Sequence, residues 1–306
     1  MGNGGRITMQ LKEVTMDSKE IIEPYYKRAD SRDCEYSFAN NWLWAPHYQM
    51  KYGITNGMLV FFETLEGVTS ASFPIGLTES DDNLKAAIEQ LKMEFGDKGI
   101  PFILHRVSRE QYSKLNELYP DQFRIQFDEG DSDYVYDREK LATLTGKKFH
   151  SKRNFINRFM EEYPDYSFEE LGDDNWMECL QMAHEWRGES GCADDPEKCA
   201  ELCVALRALK YRKELGLHGG ILRVKGKIVA FTVGEPLNSD TYVVHIEKAF
   251  ADVPGAYPMI NREFVEHAMQ EFTYVNREED LGVEGLRKAK QSYHPVIMVE
   301  KGTVTI

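Results

Sequence analysis

The sequence lacks the patterns expected of a secreted or membrane-spanning protein. Its longest clear apolar run covers residues 58–62, far short of the roughly 18–20 residues that a bilayer helix needs. Residues 1–9 are rich in glycine and have no apolar core, so they do not resemble a signal peptide. The five cysteines are odd in number and form no CxxC pair. We therefore expect a cytoplasmic protein with reduced thiols, no transmembrane segment and no metal site.

Basic residues are also scarce. The chain has 37 Lys and Arg residues against 51 Asp and Glu residues, which gives a net charge of −14. Because duplex nucleic acid is bound through many phosphate contacts, a broad duplex-binding surface is not expected, although one local basic site remains compatible with this charge. The 306 residues are 42% hydrophobic, which indicates a folded protein, and the length favours two domains.

Most of the cysteines lie on apolar helical stripes. Cys179, Cys199 and Cys203 recur with leucines at spacings of three and four residues, which favours core packing over ligation. Cys192 follows Gly191 in a polar stretch and is expected to be exposed. None of these thiols has a neighbour in the sequence that would form a nucleophilic pair.

The two halves of the chain share an order of elements: helix, three-strand meander, helix, strand, helix and strand. In the first half, Asn56-Gly57 and Glu66-Gly67 mark turns of the meander, and two later strands, 123–127 and 134–136, flank a turn at 128–131. We predict an α/β (α+β) protein of two similar units, each a mixed, largely antiparallel sheet flanked by helices. The domains are placed at residues 1–146 and 147–306, because residues 141–146 lead into a helix over 147–163.

A basic cluster begins the second half. It contains six candidate anion-binding residues: Lys147, Lys148, His150, Lys152, Arg153 and Asn154. Clustered positive charge suits phosphate groups through charge-assisted hydrogen bonds. The alternative is a solvated helix face that balances acidic neighbours.

Two further segments combine turn residues with polar side chains. Gly255 and Ala256 join a strand to a helix, where free N–H groups can bind an anion, although a plain turn explains them equally well. Asn276 and Arg277 follow a strand, at the sheet edge where open α/β sheets bind ligands. In the next helix Arg287 and Lys290 lie three residues apart and can point together, and the alternative is an exposed, salt-bridged loop and helix.

Glu247 is a carboxylate in a largely apolar strand. In a cleft its pKa would rise towards values that suit a general base. It could equally pair with a lysine at a sheet edge.

These segments together resemble a known family. Residues 136–141, 146–157, 276–280 and 285–290 are similar to uncharacterised proteins related to the C-terminal domain of phosphatidylglycerol lysyltransferase. The resemblance covers about residues 11–300. It implies two tandem domains of the acyl-CoA N-acyltransferase (GNAT) fold, as in the Fem-type aminoacyltransferases.

The resemblance implies acyl or aminoacyl transfer to an amine or hydroxyl of a small molecule, peptide or lipid. The donor would be the 3′ end of an aminoacyl-tRNA or an acyl-CoA. Acetyltransferases of this fold usually carry a Q/R-x-x-G-x-G/A turn for CoA, and residues 252–257 depart from it. They often have a late tyrosine that protonates the CoA thiolate. Lys290 aligns near that position, with Tyr293 close by. Both departures favour an aminoacyl-tRNA-like donor over acyl-CoA as co-substrate.

The resulting hypothesis gives each residue type a role. The basic cluster holds donor phosphates, Arg287 and Lys290 face the reacting ester, and Glu247 or another carboxylate accepts the acceptor's proton. Two alternatives remain open: an acyl-CoA-dependent N-acyltransferase, and a binding module without catalysis on the same fold.

Overall fold

The structure is a computed structural model that describes residues 9–189 and 196–306. Cys192, with its expected exposure, lies outside the described residues. The chain divides into two compact units. Unit 1 contains Met1–Ser31, Trp44–Ser132 and Val299–Ile306, and unit 2 contains Arg32–Leu43 and Asp133–Met298. The predicted domain boundary between residues 146 and 147 stays a prediction.

The described residues form eleven helices and thirteen strands. The helices are α1 (Lys19–Ala29), α2 (Phe38–Trp44), α3 (Asp81–Asp97), α4 (Arg109–Leu118), α5 (Arg138–Thr143), α6 (His150–Glu162), α7 (Trp176–Glu189), α8 (Pro196–Lys210), α9 (Arg212–Leu215), α10 (Ala256–Ala268) and α11 (Glu284–Gln291). The strands are β1 (Lys12–Glu13), β2 (Lys51–Thr55), β3 (Met58–Leu65), β4 (Val68–Ser72), β5 (Ile75–Gly76), β6 (Ile103–Val107), β7 (Arg124–Asp137), β8 (Ser167–Glu170), β9 (His218–Val224), β10 (Lys227–Pro236), β11 (Thr241–Ala249), β12 (Tyr274–Asn276) and β13 (Ile297–Thr305).

Unit 1 is a mixed sheet with the strand order β1-β2-β3-β4-β6-β13-β7, to which β5 adds beside β3. β4 and β6 run parallel, whereas β2, β3 and β4 form an antiparallel meander. The predicted turns Asn56-Gly57 and Glu66-Gly67 are confirmed, and all four residues have positive φ. This conformation matches the right-handed twist of the flanking strands.

Unit 2 has the strand order β7-β12-β11-β10-β9-β8. β11 and β12 run parallel, whereas β7 with β12, β11 with β10, β10 with β9 and β9 with β8 are antiparallel. Adjacent side chains of β11 contact different layers, since Glu247 reaches Asn261 of α10 and Lys248 reaches Glu201 of α8. Because successive side chains of a strand point to opposite faces, helices cover both faces of this sheet. The predicted class of mixed sheets flanked by helices is confirmed.

Two local predictions need correction, one about strands and one about cysteines, and a third is confirmed. The two strands predicted at 123–127 and 134–136 are one strand, β7, which continues through the expected turn. Cys203 is exposed and Cys199 half-buried, because Leu202, Ala205 and Leu209 form the buried stripe of α8. Cys179 is buried as predicted, and this burial raises the pKa of its thiol to about 12.

Within the described ranges, no helix is both long enough and apolar enough to cross a lipid bilayer.

Candidate active site

The candidate site lies where two parallel strands of unit 2 stop pairing. Thr241–Val243 of β11 pair with Tyr274–Asn276 of β12, after which β12 ends and β11 continues to Ala249. Beyond this point the two chain segments no longer pair with each other. We call the region formed by residues 244–249 and 277–280 the β11–β12 opening. Two side-chain pairs bridge it: Glu247 with Arg277, and His245 with Glu278.

Glu247 and Arg277 form the inner pair of the opening. The Arg277 Nη2 atom donates to Glu247 Oε1 at 2.8 Å, and both side chains are 12% exposed. The second carboxylate oxygen, Oε2, accepts from Asn261 Nδ2 of α10 at 3.3 Å. Glu247 thus pairs with an arginine across the opening rather than with a lysine at a sheet edge.

Two tyrosine rings and a lysine complete this cluster. The Arg277 guanidinium lies 5.8 Å from the ring centroid of Tyr136 and 5.0 Å from that of Tyr293. Lys152 Nζ of α6 lies 4.0 Å from the same Tyr293 centroid. Burial, reinforced by the positive charge of Arg277, lowers the pKa of Lys152 to about 8. Burial raises the pKa of both tyrosines, which keeps them neutral hydroxyls.

His245 forms the outer pair and holds two carboxylates. Its Nδ1 lies 2.7 Å from Glu278 Oε1, its Nε2 lies 3.1 Å from Glu235 Oε1, and its side chain is 3% exposed. Burial alone would lower the pKa of His245, but the hydrogen bonds to Glu235 and Glu278 raise it to about 10. The imidazolium form is therefore favoured at neutral pH. Ser37, from the segment Arg32–Leu43 of unit 2, also donates to Glu235.

Lys290 and Arg287 both bind the loop at residues 277–280, at different points along it, and the interpretation that they point together stays a prediction. Lys290 Nζ donates to the backbone carbonyl oxygens of Arg277 at 2.5 Å, of Glu278 at 3.0 Å and of Glu279. An ammonium group has three donors, so all of them are occupied. Burial lowers the pKa of Lys290. The oxyanion role of Lys290 stays a prediction, and it would require the ammonium to leave these carbonyls.

Arg287 makes a two-point contact with the following part of the same loop. Its Nε and Nη2 atoms donate to the two carboxylate oxygens of Asp280 at 2.8 and 3.0 Å. Tyr134 donates to the same carboxylate at 2.6 Å. Hydrogen bonds from Arg287 and Tyr134 outweigh burial and lower the pKa of Asp280. Arg287 therefore fixes the loop at residues 277–280.

Asn276 anchors the start of that loop and does not face solvent. It is fully buried, and its Nδ2 atom donates to Asp133 Oδ2 at 2.8 Å and to the Arg32 carbonyl at 2.6 Å. Its Oδ1 atom accepts from the backbone N–H of Glu278 at 2.7 Å. The donor-binding role predicted for Asn276 stays a prediction, since its side chain is occupied by contacts within the fold.

One group of side chains beside the opening has the composition of a metal site. The ligand atoms of Cys34, Asp133 and Glu279 lie within 4.8 Å of one another. The single S–H of Cys34 has two carboxylate acceptors within reach, Asp133 Oδ1 at 3.3 Å and Glu279 Oε2 at 3.6 Å, and hydrogen bonding of the thiol accounts for the short distances. The expectation that the protein holds no metal stays a prediction.

The predicted basic cluster divides into three parts. Lys147, Lys148, His150 and Asn154 are exposed, and Asn154 Nδ2 lies 3.2 Å from His150 Nε2. Arg153 instead turns back and donates to the carbonyl oxygens of Leu144 and of Gly146, the latter at 2.8 Å. Lys152 lies against the ring of Tyr293, which Arg277 also contacts.

Gly255 and Ala256 form the start of α10 and pack against α6. Gly255 has φ +89°, and a Cβ atom there would lie 2.7 Å from the Phe155 carbonyl oxygen and 2.9 Å from Phe159 Cβ. Ala256 is buried. The glycine is therefore explained by its conformation and by close helix contact, and anion binding by this segment stays a prediction.

Several residues of the site were not singled out from the sequence. His245, Glu235 and Cys34 become neighbours only through sheet pairing and through the placement of Arg32–Leu43 in unit 2. The one usable signal was the charged triplet His245, Glu247 and Lys248 within an otherwise apolar strand, of which only Glu247 was singled out.

The fold is shared with solved structures. A crystal structure of a conserved protein of unknown function from Bacteroides thetaiotaomicron VPI-5482 is 38% identical, with a TM-score of 0.91 over 97% of this chain and 99% of that chain. The C-terminal domain of a putative lysylphosphatidylglycerol synthetase from Agrobacterium fabrum is 14% identical, with a TM-score of 0.65 over 94% and 92% of the two chains. L-PGS from Bacillus licheniformis is 18% identical, with a TM-score of 0.55 over 81% of each chain.

An uncharacterized protein from Mycoplasmoides gallisepticum is 25% identical over 186 residues, and the chain spans only 57% of that relative's length. The family model described as "Phosphatidylglycerol lysyltransferase, C-terminal" matches residues 26–303. This match covers most of the chain, so the protein belongs to the family of phosphatidylglycerol lysyltransferase C-terminal domains.

Proposed function

We propose that the protein transfers an aminoacyl group from an aminoacyl-tRNA-like donor to an amine or hydroxyl acceptor, at the β11–β12 opening. The observation that carries this proposal is the family membership of residues 26–303. It is supported by the cluster of Glu247, Arg277 and Lys152, in which ionisable side chains lie together and are largely shielded from solvent.

The donor is proposed to approach along the first turns of α6. The exposed Lys147 and Lys148 suit phosphate groups, with His150 and Asn154 on the same side as further donors. Lys147 and Lys148 lie in the short 3-10 turn that directly precedes α6, and Lys148 is four residues from Lys152, so a phosphate bound there and the cluster are about one turn apart along the chain. Such a short path suits a donor whose reactive ester lies next to a phosphate-bearing chain.

Transfer needs no covalent enzyme intermediate. The acceptor nucleophile attacks the ester carbonyl carbon, the new C–N or C–O bond forms, and the ester C–O bond breaks. Holding the two reactants together supplies much of the rate. Arg277 is the cation of the opening best placed to stabilise negative charge on the ester oxygen, because its charge is largely buried.

Lys290 is proposed to position the loop that carries Arg277. Removing its ammonium would take this donor from three backbone carbonyl oxygens, of which that of Glu278 keeps the backbone N–H of Tyr134, at a cost of about 1–3 kcal/mol. We expect Lys290→Met to lower both the stability and the turnover. An oxyanion role instead predicts a large loss of turnover at unchanged stability and unchanged donor affinity. Urea unfolding and steady-state kinetics on the same variant distinguish the two roles.

Binding of the donor can be tested by thermal-shift titration. A ligand at about 100 times its dissociation constant stabilises the native state by roughly 2.7 kcal/mol. We expect a shift with a non-hydrolysable analogue of the aminoacyl-tRNA 3′ end, weakened by added salt and by the double substitution of Lys147 and Lys148 by Ala. A shift with acetyl-CoA alone would favour the acyl-CoA-dependent enzyme. No shift with either ligand would favour a binding module of a different specificity.

A further inference from the structure

We propose that Lys152 is the general base of the transfer reaction, and that the neutral form of its amine removes the proton of the attacking acceptor. This inference rests on the proposed function. It replaces both earlier assignments, in which Lys152 binds phosphate and Glu247 accepts the proton.

The first argument is the lack of hydrogen-bond partners for Lys152. Within residues 9–189 and 196–306, its Nζ atom makes no hydrogen bond or ion pair and contacts the face of Tyr293. The side chain is only partly exposed. The other basic side chains at the loop are bonded: Lys290 to three carbonyl oxygens, Arg277 to Glu247 and Arg287 to Asp280. Lys152 is thus the amine of this cluster that is available for proton transfer.

The second argument concerns Glu247, the alternative base. Its Oε1 atom accepts from Arg277 and its Oε2 atom accepts from Asn261. Both oxygens of this carboxylate are therefore engaged by donors of the protein itself. Glu247 is better suited to hold Arg277 in place.

The third argument is the electrostatic environment of Lys152. The charged groups that act on it are Arg277 and Glu247, and the neutral phenol of Tyr293 covers one side. Desolvation and a neighbouring cation both favour a neutral amine, and they lower the pKa of Lys152 to about 8. A base is most effective when its pKa lies near the working pH.

The step returns every proton that it removes. Neutral Lys152 takes one proton from the acceptor amine or hydroxyl as the nucleophile bonds to the ester carbonyl carbon. The tetrahedral adduct then expels the donor's ribose oxygen, and the Lys152 ammonium returns the proton to that oxygen. The products are the aminoacylated acceptor and the free hydroxyl of the donor, and the lysine is again neutral.

The first test measures the amine alone and does not depend on any substrate. Trace labelling of the folded protein with acetic anhydride, over a series of pH values and with mass spectrometric readout, gives the pKa of each lysine. We expect Lys152 to label with a midpoint near pH 8, well below that of a lysine-containing model peptide labelled in the same reaction, whose pKa is about 10.4. Identical midpoints for Lys152 and the model peptide would overturn the proposal.

The second test measures turnover of Lys152→Arg and Lys152→Met, with Lys288→Met as the matched control on an exposed lysine. The probes are bulk aminoacyl-tRNA as the donor and glycerol as the acceptor, because a hydroxyl acceptor does not titrate near pH 8 as an α-amino group does. Because arginine keeps the charge but cannot deprotonate, both Lys152 variants should lose roughly 100- to 10,000-fold in kcat. The rise of the wild-type rate with pH through about 8 should disappear in both variants.

The outcomes separate the two proposals. Wild-type activity that survives Lys152→Arg with its pH profile intact would overturn the base assignment alone. A wild type that transfers no aminoacyl group would contradict the proposed function and the base assignment together. Binding of the 3′-end analogue by the Lys152 variants, measured by thermal shift, shows that they are folded and keep the donor site.

Discussion

At the scale of single residues, the site depends on charges that are paired inside the protein. Glu247 and Arg277 are mostly buried and their contact crosses the β11–β12 opening. Removing one partner of a buried ion pair leaves an uncompensated charge, and this typically costs about 3–5 kcal/mol. The pair therefore links the stability of unit 2 to the geometry of the site.

We expect Glu247→Ala to lower the free energy of unfolding by about 3 kcal/mol, as measured by urea denaturation. The matched control is Glu284→Ala, which removes a carboxylate that is 80% exposed and should change stability little. The double substitution of Glu247 and Arg277 should cost less than the sum of the two single losses. Additive losses would contradict the pairing.

His245 makes stability depend on pH. Its pKa is about 10 in the folded protein and lies near 6.5 in an unfolded chain. A raised pKa stabilises the fold fully below the unfolded value, and this contribution is lost as the pH rises towards 10. We expect the wild type to lose more stability between pH 7 and pH 10 than His245→Gln does, in urea denaturation at both pH values. Parallel losses in the two proteins would contradict the double pairing with Glu235 and Glu278.

Some residues of the site could be identified from the sequence, but the residues that they contact could not. Glu247 is visible as a carboxylate within a largely apolar strand, and Arg277 as a polar residue just after a strand. They are 30 residues apart and meet only because β11 and β12 run parallel. Lys290 and Arg287 were expected to converge from helical spacing alone, and the loop at 277–280 binds each of them separately.

At the scale of elements, the contact between α6 and α10 fixes the placement of Lys152. The start of α10 approaches the α6 backbone so closely that Gly255 has no room for a side chain. We expect Gly255→Ala to destabilise the protein by at least 1–2 kcal/mol, because its φ of +89° and the clash with Phe155 both oppose a Cβ atom.

Gly285→Ala is the matched control for this substitution, because Gly285 lies in α11 with nothing within 4 Å of an added Cβ. That change should be neutral or slightly stabilising, since alanine favours helix. Differential scanning calorimetry on the two variants measures the contrast. Equal melting temperatures would contradict the close packing of α6 and α10.

The order of elements was the most predictable feature at this scale. The paired turn residues Asn56-Gly57 and Glu66-Gly67 predicted the three-strand meander of unit 1, which β2, β3 and β4 form. The sequence did not reveal that β7 continues through 128–131, because its acidic and glycine residues are typical of a turn. β7 as a whole lies between β13 and β12 in the sheet, and its pairs with β12 are at residues 135–137.

At the scale of the whole molecule, two compact units were foreseen, but not which segments they contain. Arg32–Leu43 belongs to unit 2 although it precedes most of unit 1 in the chain. Its contacts are tertiary: the Arg32 side chain binds Asp240, and Cys34 binds Asp133. No periodicity or turn signal in a single sequence encodes such long-range pairing.

The measurement that most directly tests the central claim is enzyme-dependent loss of radiolabelled amino acid from bulk aminoacyl-tRNA, with recovery of the label on glycinamide. The account predicts transfer by the wild type that Arg277→Met strongly reduces, while Lys288→Met leaves it unchanged. Label that stays on the tRNA, or that leaves it equally fast with the wild type and with Arg277→Met, would contradict aminoacyl transfer at the β11–β12 opening.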